Sequence, residues 1–339
     1  MKTELTGTDL VTGGAGFIGS ELVRQLADAG RRVIVFDNLT TGRRENLDGL
    51  AVGQVRLTVG DVRDTPALTA AMGDVDVVYH LACVNLRRSL HDPQAAHDVN
   101  ASGSLAVLEA ARALRPRRLV HVSSSEVYGS ALRSPIDESH PAEPTTPYGA
   151  SKLAGEAYAR AHHLTYGLPV VIVRPFNAYG AHGHHEGDSG EVIPKFVLRA
   201  LAGQPLAVFG DGAQTRDFTD VRDIAAGIRA AGTRPGVVGS TFNLGSGREI
   251  SITDLARLVS SVLGEPTVPI VHEPPRPGEV RRLCADASAA RRTLGFAPSH
   301  SLPDGIIEMA ARYRAEERGL DALLAEEGTT SGWQMRLSL

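Results

Sequence analysis

Cysteine is nearly absent from this chain of 339 residues. Only Cys83 and Cys284 occur, which excludes a disulfide framework, fits a reducing compartment and makes the cytoplasm the expected location. Neither sign of charge dominates: 35 lysines and arginines stand against 39 aspartates and glutamates, a formal net charge of -4. That balance speaks against a nucleic-acid partner and a polybasic membrane patch, and leaves a small molecule as the expected ligand. Long apolar runs are lacking as well. No stretch reaches about eighteen apolar residues, and no cationic region precedes a long apolar one at the start, so neither a membrane span nor an export signal is expected. The chain has no internal repeat.

What the sequence does have is alternation. Short apolar runs at 9–12, 32–36, 55–59, 75–80, 118–123 and 169–173 predict buried strands. The segments between them, such as 18–29 and 100–114, carry helical periodicity, as expected of a parallel sheet covered on both faces. Beyond Pro175 come a loop rich in glycine and histidine, a helix near 194–201, a short strand pair around 206–218 and a helix from Asp220. The expected fold is α/β, a Rossmann-type doubly wound parallel sheet with a smaller, intertwined C-terminal substrate-binding lobe. Residues 1–178 are assigned to the first domain, with a return segment near 220–245. Residues 179–315 make most of the second lobe, and 316–339 a charged C-terminal helix and a poorly anchored tail.

Gly14-Ala15-Gly16-Phe17-Ile18-Gly19 directly follows the first strand and opens a helix. Glycines there let the backbone approach a pyrophosphate, whose charge sits on free amides at the helix start. Asp37 ends the second strand about twenty residues on, where a carboxylate accepts from a ribose hydroxyl and repels a 2′-phosphate. NAD is therefore the expected cofactor rather than NADP. Asp61, after the third strand, is a weaker candidate for the adenine end, since strand ends often carry a solvated aspartate.

Tyr148 and Lys152 lie four residues apart just after Thr146-Pro147, which reads as a helix cap and first helical residue. Both side chains then share one helix face, where an ammonium lowers the phenol's pKa and fits it to take a hydroxyl proton. Taken alone, a tyrosine and a lysine at this spacing make an ordinary solvated face.

The surrounding motifs change that reading. Thr12-Gly13-Gly14-Ala15-Gly16-Phe17-Ile18-Gly19, His80-Leu81-Ala82, Ser123 to Gly129, Tyr148-Gly149-Ala150-Ser151-Lys152, Arg174 to Gly180 and Arg216-Asp217-Phe218 stand in one order along the chain. In these stretches the sequence resembles the extended short-chain dehydrogenase/reductase family, specifically its nucleotide-sugar epimerases and dehydratases, over about residues 8 to 315. The resemblance implies tightly held NAD that is reduced and reoxidised within one turnover. Its cofactor wall would be Gly13, Gly16, Phe17, Ile18, Gly19, Asp37, Asn38, Asp61, Val62, Leu81 and Ala82, with Tyr148 and Lys152. Ser124 would hydrogen-bond the reacting hydroxyl beside Tyr148. Ser125, Asn177, Val192, Lys195, Arg216 and Arg281 would contact the nucleotide diphosphate sugar, the two arginines neutralising phosphates. A homodimer built from helices at 99–114 and 148–163 is implied as well, with Ala106, Val107, Ala110, Ala154 and Ala157 as small or apolar contacts, although the same residues could simply cover the sheet.

Glu126 bears on the outcome. Simple 4-epimerases of the family have a small residue or threonine there, whereas 4,6-dehydratases and uronate decarboxylases have glutamate. A carboxylate beside a 4-keto sugar can take the acidic proton at carbon 5. Against elimination stands Ser125, where glucose-type dehydratases have an aspartic acid. Against decarboxylation stand His182 and Glu191, at or near places where those enzymes have arginines. A 4-epimerase is the favoured expectation and a 4,6-dehydratase the alternative, followed by a decarboxylase and a catalytically silent NAD-binding protein. Cys83 is expected to be a small buried apolar side chain. The loop at 181–190, with His182, His184, His185, Glu186 and Asp188, is expected to be a lid and not a metal site: adjacent histidines there lack a regular ligand geometry.

Overall fold

The computed structural model describes residues 7–187, 190–265 and 268–328. At its centre is a seven-stranded parallel sheet. Its strands run in the order Thr241–Leu244, Val170–Pro175, Arg118–Val122, Val77–His80, Thr8–Thr12, Arg32–Asp37 and Val55–Val59. The chain moves out from Thr8–Thr12 to one edge, then returns to build the other side from Val77–His80. Where the direction reverses, between those two strands, a crevice opens beyond their carboxyl ends.

Each strand predicted for the central sheet forms, with small shifts at its ends. Helices Phe17–Asp28 and Val221–Thr233 cover one face, and Leu22, Val23, Leu26, Ile224 and Ile228 are buried there. Helices Gly103–Leu114 and Pro147–Tyr166 cover the other through Val107, Leu108, Ala111 and Ala159. Burial on both faces explains why the strands read as continuous apolar runs rather than alternating ones. The helix from Asp220 and the last sheet strand come back from the second half of the chain, so the two parts are interwoven.

Helix Pro147–Tyr166 begins as its sequence dictates. Thr146 Oγ1 accepts a hydrogen bond from the Gly149 amide at 3.1 Å, and Pro147 follows in the first turn, where its missing N–H costs nothing. Gly167 ends it in the left-handed conformation, φ +66°. The helix predicted at 100–114 is regular only from Gly103, because His97–Ser102 before it is π-helical.

The second lobe surrounds a separate cluster that includes Phe196, Leu206, Val208, Leu255, Val259 and Ile306. The strand pair predicted around 206–218 does not form as a pair. Leu206–Phe209 lies parallel to Ile270–Glu273, while Thr215–Asp220 pairs with Glu249–Ser251, Arg282–Leu283 and Asn177–Tyr179. Partners far along the chain win because they let Leu206 and Val208 join that apolar cluster. The C-terminal helix expected within 316–339 is Gly319–Glu327, preceded by Leu302–Arg314, which Ser301 caps. The tail from Thr329, Asp188 of the histidine loop and the first six residues of the expected first domain lie outside the described residues. Among the described residues no helix is long and apolar enough to cross a membrane.

Candidate active site

A cavity of about 560 Å³ occupies the crevice between the sheet and the second lobe. At its inner end, packing demands glycine at two positions. A Cβ on Gly19 would sit 2.1 Å from the Gly13 carbonyl oxygen, and one on Gly13 2.7 Å from the Ala82 amide, where φ is also +70°. The turn therefore lies flat against the strand ends, and Gly16, the N-cap residue, has no side chain to cap the helix amides. Backbone donors thus face the cavity where an anion can meet them. Asp37 is buried, and its carboxylate accepts from the Ala15 amide at 3.0 Å and the Leu39 amide at 2.9 Å. Remaining lone pairs leave it able to accept a ribose hydroxyl as well.

Gly13, Gly16, Phe17, Ile18, Gly19, Asp37, Asn38, Val62, Leu81 and Ala82 all line this cavity. Asp61 does not. Its carboxylate is held by Arg63 at 2.8 Å and by Asn38 at 2.9 Å, and these bonds keep its pKa well below the usual carboxylate range. It therefore acts from behind the wall, orienting Asn38.

Ser124, Ser125, Glu126, Tyr148 and Lys152 converge on the middle of the cavity. Burial, the largest influence, pushes the phenol of Tyr148 above the ordinary tyrosine value, with Ser124 opposing. Lys152 Nζ donates to the Val122 carbonyl oxygen at 2.6 Å, and burial depresses its pKa. Burial thus opposes the charged form of both groups, and ionisation of the phenol needs a cation beside it to offset that cost. Burial also raises Glu126, with Arg216 opposing. Cys83 is exposed and lines this region, contrary to the expectation of a buried filler. Helix termination explains it: Asn85 caps helix Leu86–His91, so the preceding segment stays open towards the cavity.

Asn100 lies in the π-helical stretch and clamps this wall. Its side chain bonds the Val84 amide at 2.8 Å, the Val84 carbonyl at 3.0 Å and Ser151 Oγ at 3.0 Å, tying the Cys83 segment to the Tyr148 helix. Nothing in the sequence marks it, because a lone asparagine in a helical pattern carries no signal by itself.

Asn177, Val192, Lys195 and Arg216 line the cavity; Arg281 does not. Arg281 is exposed and paired to Asp211 at 2.7 and 3.0 Å. Arg276, five residues earlier, does line the cavity, with its guanidinium 3.9 Å from the centre of the Phe209 ring. Burial, then the nearby Arg87, brings its pKa down to about 9. Pro275 and Pro277 bend the loop so that Arg276 points inwards, whereas Arg281 leads into the strand Arg282–Leu283 with its side chain outwards. Only the chain's path distinguishes the two arginines. Arg87 also lines the cavity, as does Glu191, which burial pushes up to about 7.

His184 and Gly187 of the histidine loop reach the cavity edge. The loop is tied down by Ser20 to His182 Nδ1 at 3.0 Å and by an Arg43–Glu186 ion pair, and His185 Nε2 lies 3.3 Å from a Glu326 carboxylate oxygen. His185, Glu186 and Glu326 bring ligand atoms within 4.8 Å of one another, but Arg43 and Arg318 already pair with the two carboxylates.

The switch-point crevice, lined by the glycine turn, Tyr148 and Lys152, defines the class: a short-chain dehydrogenase/reductase of the extended type, with a Rossmann sheet and a second lobe. The chain belongs to the NAD dependent epimerase/dehydratase family, whose model matches residues 10–245, and its cofactor is NAD. It is 37% identical to UDP-glucose 4-epimerase of Mycolicibacterium smegmatis, covering 90% of this chain and 98% of that protein. Identity to dTDP-glucose 4,6-dehydratase of Streptomyces niveus is 34%, over 95% and 97%. A crystal structure of dTDP-glucose 4,6-dehydratase from Streptomyces venezuelae, with NAD and a second ligand bound, aligns at a TM-score of 0.87 with 35% identity, covering 93% of this chain and 99% of that one. Relatives thus include epimerases and dehydratases alike, and the chain is an NAD-dependent enzyme of that joint type.

Proposed function

We propose that this protein is an NAD-dependent nucleotide-sugar 4-epimerase working through a transient 4-keto sugar. The observation that carries this is the Tyr148 phenol in the same cavity as the glycine turn and Ser124, with Lys152 one helical turn along and lining it too. Gly13, Gly16, Phe17, Ile18, Gly19, Asp37, Asn38, Val62, Leu81 and Ala82 would hold NAD, which supplies a reversible hydride acceptor. Tyr148 takes the proton from the sugar's 4-hydroxyl and later returns it. Ser124 orients that hydroxyl, and Lys152 stabilises the phenolate. Arg276, Arg216, Lys195 and Asn177 bind the diphosphate end, with Val192 and Ser125 flanking the sugar. In this reading residues 1–178 with 220–245 carry the cofactor, and 179–315 mainly the substrate.

Glu126 favours a second reading, a 4,6-dehydratase. It lines the same cavity, burial raises its pKa, and it can remove a proton from carbon 5 of a 4-keto sugar. Ser125 beside it offers no acid for the departing hydroxyl, which favours epimerisation.

We also infer a cytoplasmic homodimer. Val107 and Ala110 are buried against the sheet, so the pairing surface would be the outer face of Pro147–Tyr166, where Ala157, Tyr158 and Leu164 are exposed, rather than those two residues.

The test is incubation with uridine, thymidine, guanosine and cytidine diphosphate sugars in deuterium oxide, followed by proton NMR and mass. A product of unchanged formula, inverted at carbon 4, supports the epimerase. A stable 4-keto product that has lost water, with solvent deuterium at carbon 6, replaces it with the dehydratase.

A further inference from the structure

Where the histidine loop meets the C-terminal helix, two buried polar atoms face each other without bonding. His185 Nε2 and Glu326 Oε2 are each buried with no hydrogen-bond partner among the described residues, yet they lie 3.3 Å apart. The imidazole packs edge to face on Tyr313, with ring centroids 5.6 Å apart at 76°, and its side chain is only 7% exposed. Two unsatisfied polar atoms in one buried spot carry a cost that a shared partner removes.

A third donor stands beside them. Glu186 offers a carboxylate oxygen, and the three ligand atoms lie within 4.8 Å of one another. The arginines on this cluster hold the other oxygens: Arg43 pairs with Oε1 of Glu186 and Arg318 with Oε1 of Glu326. Their side chains are 43% and 44% exposed, so either can turn into water at little cost. Glu186 Oε2 accepts from the His185 amide at 3.0 Å. The separation of 3.3 Å between His185 and Glu326 is telling. Two donors of a tetrahedral ion, each bonded at about 2.0–2.1 Å, stand about 3.3–3.4 Å from each other. One imidazole with two carboxylates suits a zinc-like ion better than Mg²⁺ or Ca²⁺, which take oxygen donors.

We propose that His185, Glu186 and Glu326 form a divalent-metal site of the zinc type, completed by water, that clamps the histidine loop to helix Gly319–Glu327. Glu186, which is partly exposed, closes the remaining gap by turning its carboxylate. Each clamped segment also carries a residue of the cavity wall: His184 on the loop, and Glu327 on the helix, paired with Arg199 at 2.6 Å. The ion therefore fastens two pieces of that wall to each other and takes no part in hydride transfer. The expectation of a metal-free loop weighed only histidines adjacent in sequence, whereas the fold brings in Glu326 from the far end of the chain.

The experiment is calorimetric titration of the chelator-treated, NAD-loaded full chain with Zn²⁺. One equivalent is expected to bind with micromolar or tighter affinity. His185→Gln and Glu326→Gln are each expected to weaken it about tenfold or more, since loss of a group that merely supports a ligand already costs that much. His272→Gln, at an exposed histidine outside the cluster, is expected to leave it unchanged. X-ray absorption at the zinc edge should show a single imidazole with oxygen donors at about 2.0–2.1 Å. Amide hydrogen exchange in the histidine loop and in helix Gly319–Glu327 should slow when zinc binds. No saturable binding, binding that His185→Gln leaves intact, a zinc shell with two or more imidazoles, or unchanged exchange in both segments overturns the inference. The absorption and exchange measurements use the wild type, so they decide it even if a variant fails to fold.

Discussion

Lys152 Nζ lies 2.6 Å from the carbonyl oxygen of Val122, the last residue of a central strand. The bond fixes a buried amine to the sheet on the same helix face as Tyr148, one turn away. Replacing Lys152 with methionine keeps most of the packing but removes the cation that stabilises a phenolate. The expected result is a fall in kcat/KM of about 10²–10⁴-fold at pH 7. Because the phenol of Tyr148 starts from a raised pKa, activity should climb with pH until the phenolate forms, and the variant's climb should begin at higher pH. A pH profile of both proteins on one accepted nucleotide sugar checks this.

The two arginines near the outer rim give a sharper contrast. Arg276 faces the cavity over Phe209, whereas Arg281 is paired with Asp211 at the surface. Arg276→Ala should weaken binding of the nucleoside diphosphate by about 10-fold or more, as expected for one charge-assisted bond. Arg281→Ala should leave the Kd within about twofold, since exposed pairs contribute little. Titration with the free diphosphate measures both; equal losses would place the phosphate site elsewhere.

Arg174 and Glu156 form a bidentate pair at 2.8 and 2.6 Å, with side chains 3% and 1% exposed. The guanidinium also donates to Tyr128 Oη at 2.8 Å, which in turn donates to Asn243. This chain joins the Tyr148 helix to two sheet strands. Glu156→Gln strands a buried guanidinium and is expected to cost about 3–5 kcal/mol. Chemical denaturation should show the loss as a lower midpoint with an unchanged slope.

Glu191 should leave a signature in stability as well. Its folded pKa, about 7, lies above the ordinary carboxyl value of 4.5, so the folded protein binds more protons than the unfolded chain between those values. Its contribution is complete below about 4.5 and is lost as pH rises through 7, at most about 3 kcal/mol. The difference in Tm between wild type and Glu191→Gln should therefore move against the wild type from pH 5 to pH 8. A constant difference would show that the carboxyl does not titrate in that range.

By itself the sequence determined the parallel sheet, the glycine turn, the carboxylate at Asp37 and the Thr146-Pro147 start that puts Tyr148 and Lys152 on one helix face. These are local signals, in which a few adjacent residues restrict the backbone or set a periodicity. Tertiary structure decided what depends on contacts between distant segments. It separated Leu206–Phe209 from Thr215–Asp220, because apolar partners far along the chain outcompeted the near neighbour. It turned Arg276 inwards and Arg281 outwards, opened Cys83 to the cavity and used Asn100 to lock the wall. Burial of Glu191 belongs there too, since the desolvation that shifts a carboxyl arises only when separate parts of the chain close around it.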